Sequence, residues 1–288
     1  MIPKLKYLMQ FYPLGEDKIY GKPITVSKDQ LIEIKLRKIV ARITTQNYLD
    51  MIRRSHSISV MDHEVEIFLK KIPKNGLILD IGGCWGWHWR NIDHKRKDVG
   101  IVIIDFVRSN LPHALNILGS NVNKQIVLMH ADATKLPFKI NSKFKGFDGV
   151  WTVQTFQHIP NYEKAVREAY RVLKKKGVFI NYSLNIQPHI AFIKSILGRD
   201  YLVEGWVKGS YWLARASIKQ KQQIEMIFKS RVFERWTEIL YSPEMHFYSP
   251  GKEGSLLGKI DSLLSNNYGF LGWFARQKSF FCQKNKCL

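Results

Sequence analysis

Residues 77 to 86, Leu77-Ile78-Leu79-Asp80-Ile81-Gly82-Gly83-Cys84-Trp85-Gly86, constrain the fold more than any other stretch of the chain. An apolar run carrying one acid near its end leads into a glycine-rich corner. Such a run reads as a strand buried on both faces that delivers its carboxyl end to a ligand. Glycines suit a corner where the chain turns sharply and a ligand approaches bare backbone. Asp80 is the telling residue, because a carboxylate at the exit of a buried strand is costly unless donors surround it.

From Leu77 onward short apolar segments alternate with amphipathic ones. Strands are expected at 77–82, 99–104, 126–130, 147–153 and 177–183. A helix is expected over Tyr162–Lys176, with Ala165, Ala169, Val172 and Leu173 on one face and Gly177 in the C′ position. This alternation predicts an α/β, doubly wound, mostly parallel Rossmann-like sheet with right-handed crossovers.

The flanks read differently. Ser27 and Gln30 form a capping box opening a helix over 27–54, and a second helix runs from about Ser59 to Ile72, stopped by Pro73. Both could cover the ligand-binding edge. After Leu184 the rhythm stops: 187–228 reads as helices rich in lysine and aromatics, 231–241 as a strand, 254–266 as a helix and 276–284 as a final strand. The chain therefore divides into an N-terminal helical cap (1–75), a Rossmann-like core (76–185), and a helical cap or lid with closing antiparallel strands of the same domain (186–288).

Composition narrows the class. The formal charge of +21 invites a nucleic-acid partner, since phosphates need Lys and Arg. The excess is spread over the chain, and Lys outnumbers Arg 31 to 14, which compositional drift also produces. Nucleic acid is therefore not favoured. Three cysteines, Cys84, Cys282 and Cys287, form neither a disulfide framework nor a metal cluster, and point to a reducing compartment. No apolar stretch approaches the ~20 residues of a spanning helix. Met1–Tyr12 makes a poor signal peptide. A cytoplasmic protein is expected, with peripheral contact to the inner face of a membrane open to it.

Three acids, Asp80, Asp105 and Asp132, stand at or just beyond strand ends. In an open α/β sheet these ends share one edge, so the acids would line one crevice. Asp105 is placed to accept from both hydroxyls of a ribose, and Asp132, followed by Ala133, from the exocyclic amine of a purine. A dinucleotide site needs Gly-x-Gly-x-x-Gly; counted from Gly82 that pattern meets Cys84 and Trp87, and from Gly83 it meets Trp85 and His88. No Gly-Lys-Ser/Thr follows, so a phosphate-binding loop is absent too.

In order and spacing these residues resemble the class I S-adenosylmethionine-dependent methyltransferases, in particular the broad group acting on small molecules, lipids and sugars. Leu79–Gly86 resembles the first motif, Asp105 the ribose acid, His130-Ala131-Asp132-Ala133 through Phe138 the adenine motif, and Phe147-Asp148-Gly149-Val150 the fourth strand. Gln157-His158-Ile159 and Ala169–Gly177 resemble the segments flanking the next helix. The resemblance covers about 77–184 and departs from the family at Cys84, where the middle glycine is usual. It implies S-adenosylmethionine as cofactor, with Asp80, Gly82, Gly83, Gly86, Asp105, Phe106, Asp132, Ala133 and Val153 as cofactor-site positions.

Methyl transfer from a sulfonium needs in-line alignment and exclusion of water, and neither a metal nor a nucleophilic triad. His158, following the fourth strand, is the candidate general base for a hydroxyl acceptor. Trp85, Trp87 and Trp89 alternate, so on a helix they would not share one face. Residues 189–215 combine aromatics with Lys194, Arg199, Lys208 and Arg215, as a lid, a sugar platform or a cationic lipid-facing surface. The expected activity is O-methylation of a small molecule, sugar or lipid-linked glycan. RNA methylation and a non-catalytic, cofactor-binding partner subunit are the alternatives.

Overall fold

The computed structural model describes residues 1–28, 30–32, 34–35, 57–185, 187–198, 218–241, 255–267 and 269–285. Five strands run parallel: β1 (Leu77–Ile81), β2 (Gly100–Asp105), β3 (Ile126–His130), β4 (Phe147–Val153) and β5 (Leu173–Leu184). β6 (Phe233–Thr237) and β7 (Gln277–Gln283) complete the sheet, with β7 antiparallel to both β5 and β6. The order is β3-β2-β1-β4-β5-β7-β6. Strand order therefore reverses between β1 and β4, the point where an open α/β sheet leaves a crevice at its carboxyl edge.

The described helices are α1 (Pro3–Met9), α2 (Ile58–Lys70), α3 (Ile92–Lys95), α4 (Leu111–Leu118), α5 (Tyr162–Val172), α6 (Pro188–Ile196), α7 (Ile218–Phe228) and α8 (Leu256–Leu264). The unbroken apolar strands have their cause in two separate cores. Leu77, Leu79 and Ile81 of β1 pack with Leu5 of α1, Val166 of α5 and Ile224 of α7. Ile78, between them, faces the other way and joins Phe68 of α2 and Leu111 of α4. Period-two alternation thus buries both faces, and a polar residue such as Asp80 can enter only with a partner.

Several sequence expectations are corrected at their ends. The helix expected to reach Lys176 stops at Val172, because Leu173 already pairs with Phe147. The next paired residues are Gly149 and Val178, so 174–177 bulge out of register. Lys176, not Gly177, takes the left-handed conformation, with φ of 63°. Lys284 Nζ donates to the carbonyls of Tyr170 and Leu173, closing the helix end in place of a glycine cap. Tertiary pairing here overrides a local stop signal.

The 231–241 strand shortens to β6, the 254–266 helix to α8 and the last strand to Gln277–Gln283. The tryptophan stretch forms a 3-10 turn, Trp87–Trp89, ahead of α3. The Ser27–Gln30 capping box is present, with Ser27 N–H donating to Gln30 Oε1 at 2.9 Å and Gln30 N–H to Ser27 Oγ at 3.3 Å. The remainder of that helix, 36–54, and the middle of the 187–228 region, 199–217, lie outside the described residues. Tyr20 gives a contact the sequence did not signal: it pairs in parallel with Met129 and extends the sheet beyond β3.

Buried charges tie the two flanks together. Glu64 of α2, fully buried, accepts from Tyr182 Oη at 2.6 Å and Arg235 Nη2 at 2.8 Å. Glu238, also buried, accepts from the Ser57 N–H at 2.6 Å and from Arg276 Nη1 at 2.9 Å. Among the described residues no helix is long and apolar enough to cross a membrane.

Candidate active site

The carboxyl ends of β1, β2 and β3 and the turn after β4 enclose a crevice open to solvent. Asp105 and Asp132 face into it, with Ile81, Ile104, Ala131 and Ala133 supplying apolar walls. Among the described residues no Lys or Arg lines it. In a chain of charge +21, this crevice is acidic.

Asp105 ends β2 and is 6% exposed. Its Oδ1 accepts from the Val107 N–H at 2.7 Å and Asn110 Nδ2 at 3.2 Å, and its Oδ2 from the Cys84 N–H at 3.0 Å. These donors hold the carboxylate against the crevice and stitch the glycine-rich corner to β2. Asn110 is itself oriented by Trp85 Nε1, 3.4 Å from its Oδ1, and Trp85 stacks on His113 at 4.0 Å. Burial holds the His113 imidazole below its ordinary pKa.

Asp132 Oδ1 accepts from Thr134 N–H at 2.7 Å and Thr134 Oγ at 2.8 Å, forming a local turn. Its Oδ2 accepts from Gln30 Nε2 at 2.9 Å. Gln30 therefore does two things: it caps the N-terminal helix and brings that helix onto the crevice. Phe106 also lines the site, and its carbonyl contacts His130 Nε2 at 3.1 Å.

Asp80 is placed differently from Asp105 and Asp132. It lies behind the crevice wall, 2% exposed, accepting from Trp89 Nε1 at 2.7 Å. Burial pushes its carboxyl up to about 7, with the Trp89 bond opposing and the Asp105 charge adding to the rise. Gly83 and Gly86 do not line the crevice either. A Cβ at Gly83 would come within 2.3 Å of Asp80 Oδ2, and one at Gly86 within 2.7 Å of Leu118 Cδ1. Protein atoms, not a ligand, fill those positions. Gly82 does line the crevice, with φ of 70°.

The corner's backbone accounts for Cys84. Gly82, Cys84 and Gly86 have φ of 70°, 51° and 71°, all left-handed. A non-glycine residue there is strained, and such strain collects at ligand sites. Cys84 also lines the crevice.

His158 ends the 3-10 turn Phe156–His158 that follows β4, and it lines the crevice. Its N–H donates to the Thr155 carbonyl at 2.9 Å. Val153 stays in β4, packed on the sheet core rather than in the crevice. Of the three tryptophans, Trp85 and Trp89 are fully buried, whereas Trp87 is half-buried beneath the Arg90 guanidinium at 4.4 Å.

Three polar lining residues escaped the sequence reading: Gln30, Asn110 and Thr155. Thr155 Oγ donates towards the carbonyls of Val153 at 3.1 Å and Gly82 at 3.3 Å, and its side chain occupies the space a Cβ on Gly82 would need. Their only signal was position, short polar residues just past strands β2 and β4, and for Gln30 the capping box.

Residues 79–181 match the family described as "Methyltransferase domain". The core is similar to a methyltransferase domain. Its relatives include the ubiquinone/menaquinone biosynthesis C-methyltransferase of Rickettsia prowazekii, 31% identical over 164 residues, covering 48% of this chain and 64% of that protein. The Arabidopsis thaliana 24-methylenesterol C-methyltransferase 2 is 27% identical over 131 residues, covering 45% of this chain and 35% of that one. The chain thus spans less than two thirds of the length of these curated relatives. A SAM-dependent methyltransferase from Thermotoga maritima superposes with a TM-score of 0.53 at 15% identity, over 88% of this chain and 99% of that one. That likeness establishes the methyltransferase fold, including the antiparallel closing strand. The methyltransferase cofactor is S-adenosylmethionine, and the acidic crevice fits it: two carboxylates suit hydroxyl and amine donors, and among the described residues no Lys or Arg opposes a sulfonium.

Proposed function

We propose that this protein transfers the methyl group of S-adenosylmethionine to a lipophilic small-molecule acceptor. The observation that carries the reading is the acidic crevice, lined among the described residues by no Lys or Arg, at the strand-order reversal of an otherwise strongly basic chain. A phosphate-rich ligand would be repelled there, and a cationic nucleoside attracted.

In this reading Asp105 accepts from the ribose hydroxyls, its own geometry fixed by Val107, Asn110 and Cys84. Asp132 accepts from the adenine amine, exchanging Gln30 for the ligand, while Phe106 and Ala133 flank the base. The corner from Gly82 to Gly86 cradles the methionyl end; Asp80, Gly83, Gly86 and Val153 support it from behind. Bound cofactor supplies an electrophilic methyl on a sulfonium. The chain supplies alignment and exclusion of water, with Ile159 and Pro160 forming an apolar rim. His158, on that rim, takes the proton when the acceptor is a hydroxyl.

The acceptor class rests on kinship. The names of the two curated relatives specify C-methyltransferases, one of ubiquinone/menaquinone biosynthesis and one of 24-methylenesterol, which favours carbon as a second acceptor atom beside oxygen. A cytoplasmic setting agrees with a chain that holds only three cysteines. The test is incubation with methyl-labelled S-adenosylmethionine and a lipid extract. Label in the organic phase supports the reading, and nuclear magnetic resonance of the product separates O-methyl from C-methyl. Label found only in RNA sinks it.

A further inference from the structure

Helix α8 is built inside out. Leu256, Ile260 and Leu263 recur at i, i+4 and i+7, the spacing of a core-facing stripe, yet they point to solvent. The acid of the same helix, Asp261, is fully buried, accepting from the Ile239 and Leu240 N–H groups at 2.7 and 3.1 Å. The helix is therefore locked in place by its polar side, and its leucines are left outward by construction.

The same exposure continues into neighbouring elements. The 3-10 turn Gly269–Trp273 follows α8, and Leu256, Leu263, Phe270 and Trp273 are 74, 68, 71 and 69% exposed. Helix α6 meets that turn: Gln187 Nε2 donates to the Phe274 carbonyl at 2.6 Å, and His189 packs on the Phe274 ring at 5.0 Å. On α6, Phe192 and Ile196 share one exposed face. A soluble monomer rarely leaves so many large apolar side chains together without use for them.

Topology places this surface at the reaction edge. α6 begins just after β5 ends, and Leu184 of β5 is paired with Gln277, the first residue of β7. α8 and the turn lie between the end of β6 and the start of β7, at that same edge. It is the carboxyl edge that also carries Asp105 and His158.

We infer that α6, α8 and the 269–274 turn form a face that docks on an anionic lipid bilayer, seating the protein without spanning it. Charge decides between occupants. Residues 187–198 and 255–275 contain one acid, the buried Asp261, against Lys194 and Lys259, while Arg276 just beyond is neutralised by Glu238. A second copy of a +21 chain brings like charge to this face, whereas an anionic surface brings the opposite sign. Leucines with Phe and Trp, edged by lysine, are the composition of an interfacial element. The face deepens the proposed function, on whose lipophilic acceptor it rests: the substrate reaches the crevice from the membrane.

The experiment is co-sedimentation of the full chain with phosphatidylcholine vesicles, with and without about one-third phosphatidylglycerol. Binding is expected to the anionic vesicles, weakening as salt rises. A Leu263→Ser/Phe270→Ser/Trp273→Ser variant should lose at least ~10-fold in partition while keeping its melting temperature and its affinity for S-adenosylmethionine. Wild type that ignores both vesicle types overturns the proposal, as does a variant that partitions equally well. So does sedimentation velocity showing a dimer abolished by the variant with no vesicle binding. Cofactor affinity, measured separately, reports on the methyltransferase reading alone.

Discussion

Replacing Asp80 with Asn gives the sharpest physical prediction. The carboxyl is 2% exposed, and its Trp89 Nε1 donor at 2.7 Å only partly offsets burial and the nearby Asp105 charge, leaving its pKa at about 7. Unfolded, an Asp titrates near ~3.9. The folded state therefore binds the proton more tightly, so stability falls as pH rises from about 4 to about 7 and is flat above. About 3 units at ~1.4 kcal/mol each bound the loss at about 4 kcal/mol. Asn keeps an acceptor for Trp89 and does not titrate. The advantage of the Asp80→Asn variant over wild type should thus grow by about 2–3 kcal/mol between pH 5 and pH 8, a relative gain of roughly 5–10 °C in melting temperature for a chain of this size. Thermal melts and urea titrations of both proteins across that range measure it. An offset that does not change with pH would refute the buried, proton-holding Asp80.

Two further substitutions probe the site. Cys84→Gly relieves a left-handed residue that costs about 1–2 kcal/mol, less the ~0.4–1 kcal/mol of added chain freedom, so urea unfolding should show a gain of about 0.5–1 kcal/mol; a loss above ~1 kcal/mol means the thiol's packing outweighs the strain. His158→Ala should lower turnover by about 10²–10⁴-fold with cofactor affinity little changed, and unaltered turnover ends its role as base.

The sheet was legible because its physics is local and repetitive. Runs such as Ile101-Val102-Ile103-Ile104 need apolar partners on both faces, and only stacked layers provide them. The gathering of Asp105 and Asp132 followed from strand polarity, which puts successive carboxyl ends on one edge. What the sequence hid was set by distant partners. Val172 ends its helix because Phe147 claims Leu173, and Lys284, over a hundred residues away, caps the carbonyls. Asp80 looked like a crevice residue until alternation along β1 turned it towards Trp89. Thr155 and Asn110 carry no motif, since a short polar side chain in a loop acquires its partners only when the loops converge.

The most direct test of the central claim is calorimetric titration of S-adenosylmethionine into the wild-type chain and an Asp105→Ala variant. One site per chain is expected in the wild type and at least ~10-fold weaker binding in the variant, which loses the carboxylate that holds the Cys84, Val107 and Asn110 donors at the crevice. No binding by folded wild type, or equal binding by both proteins, would contradict that claim.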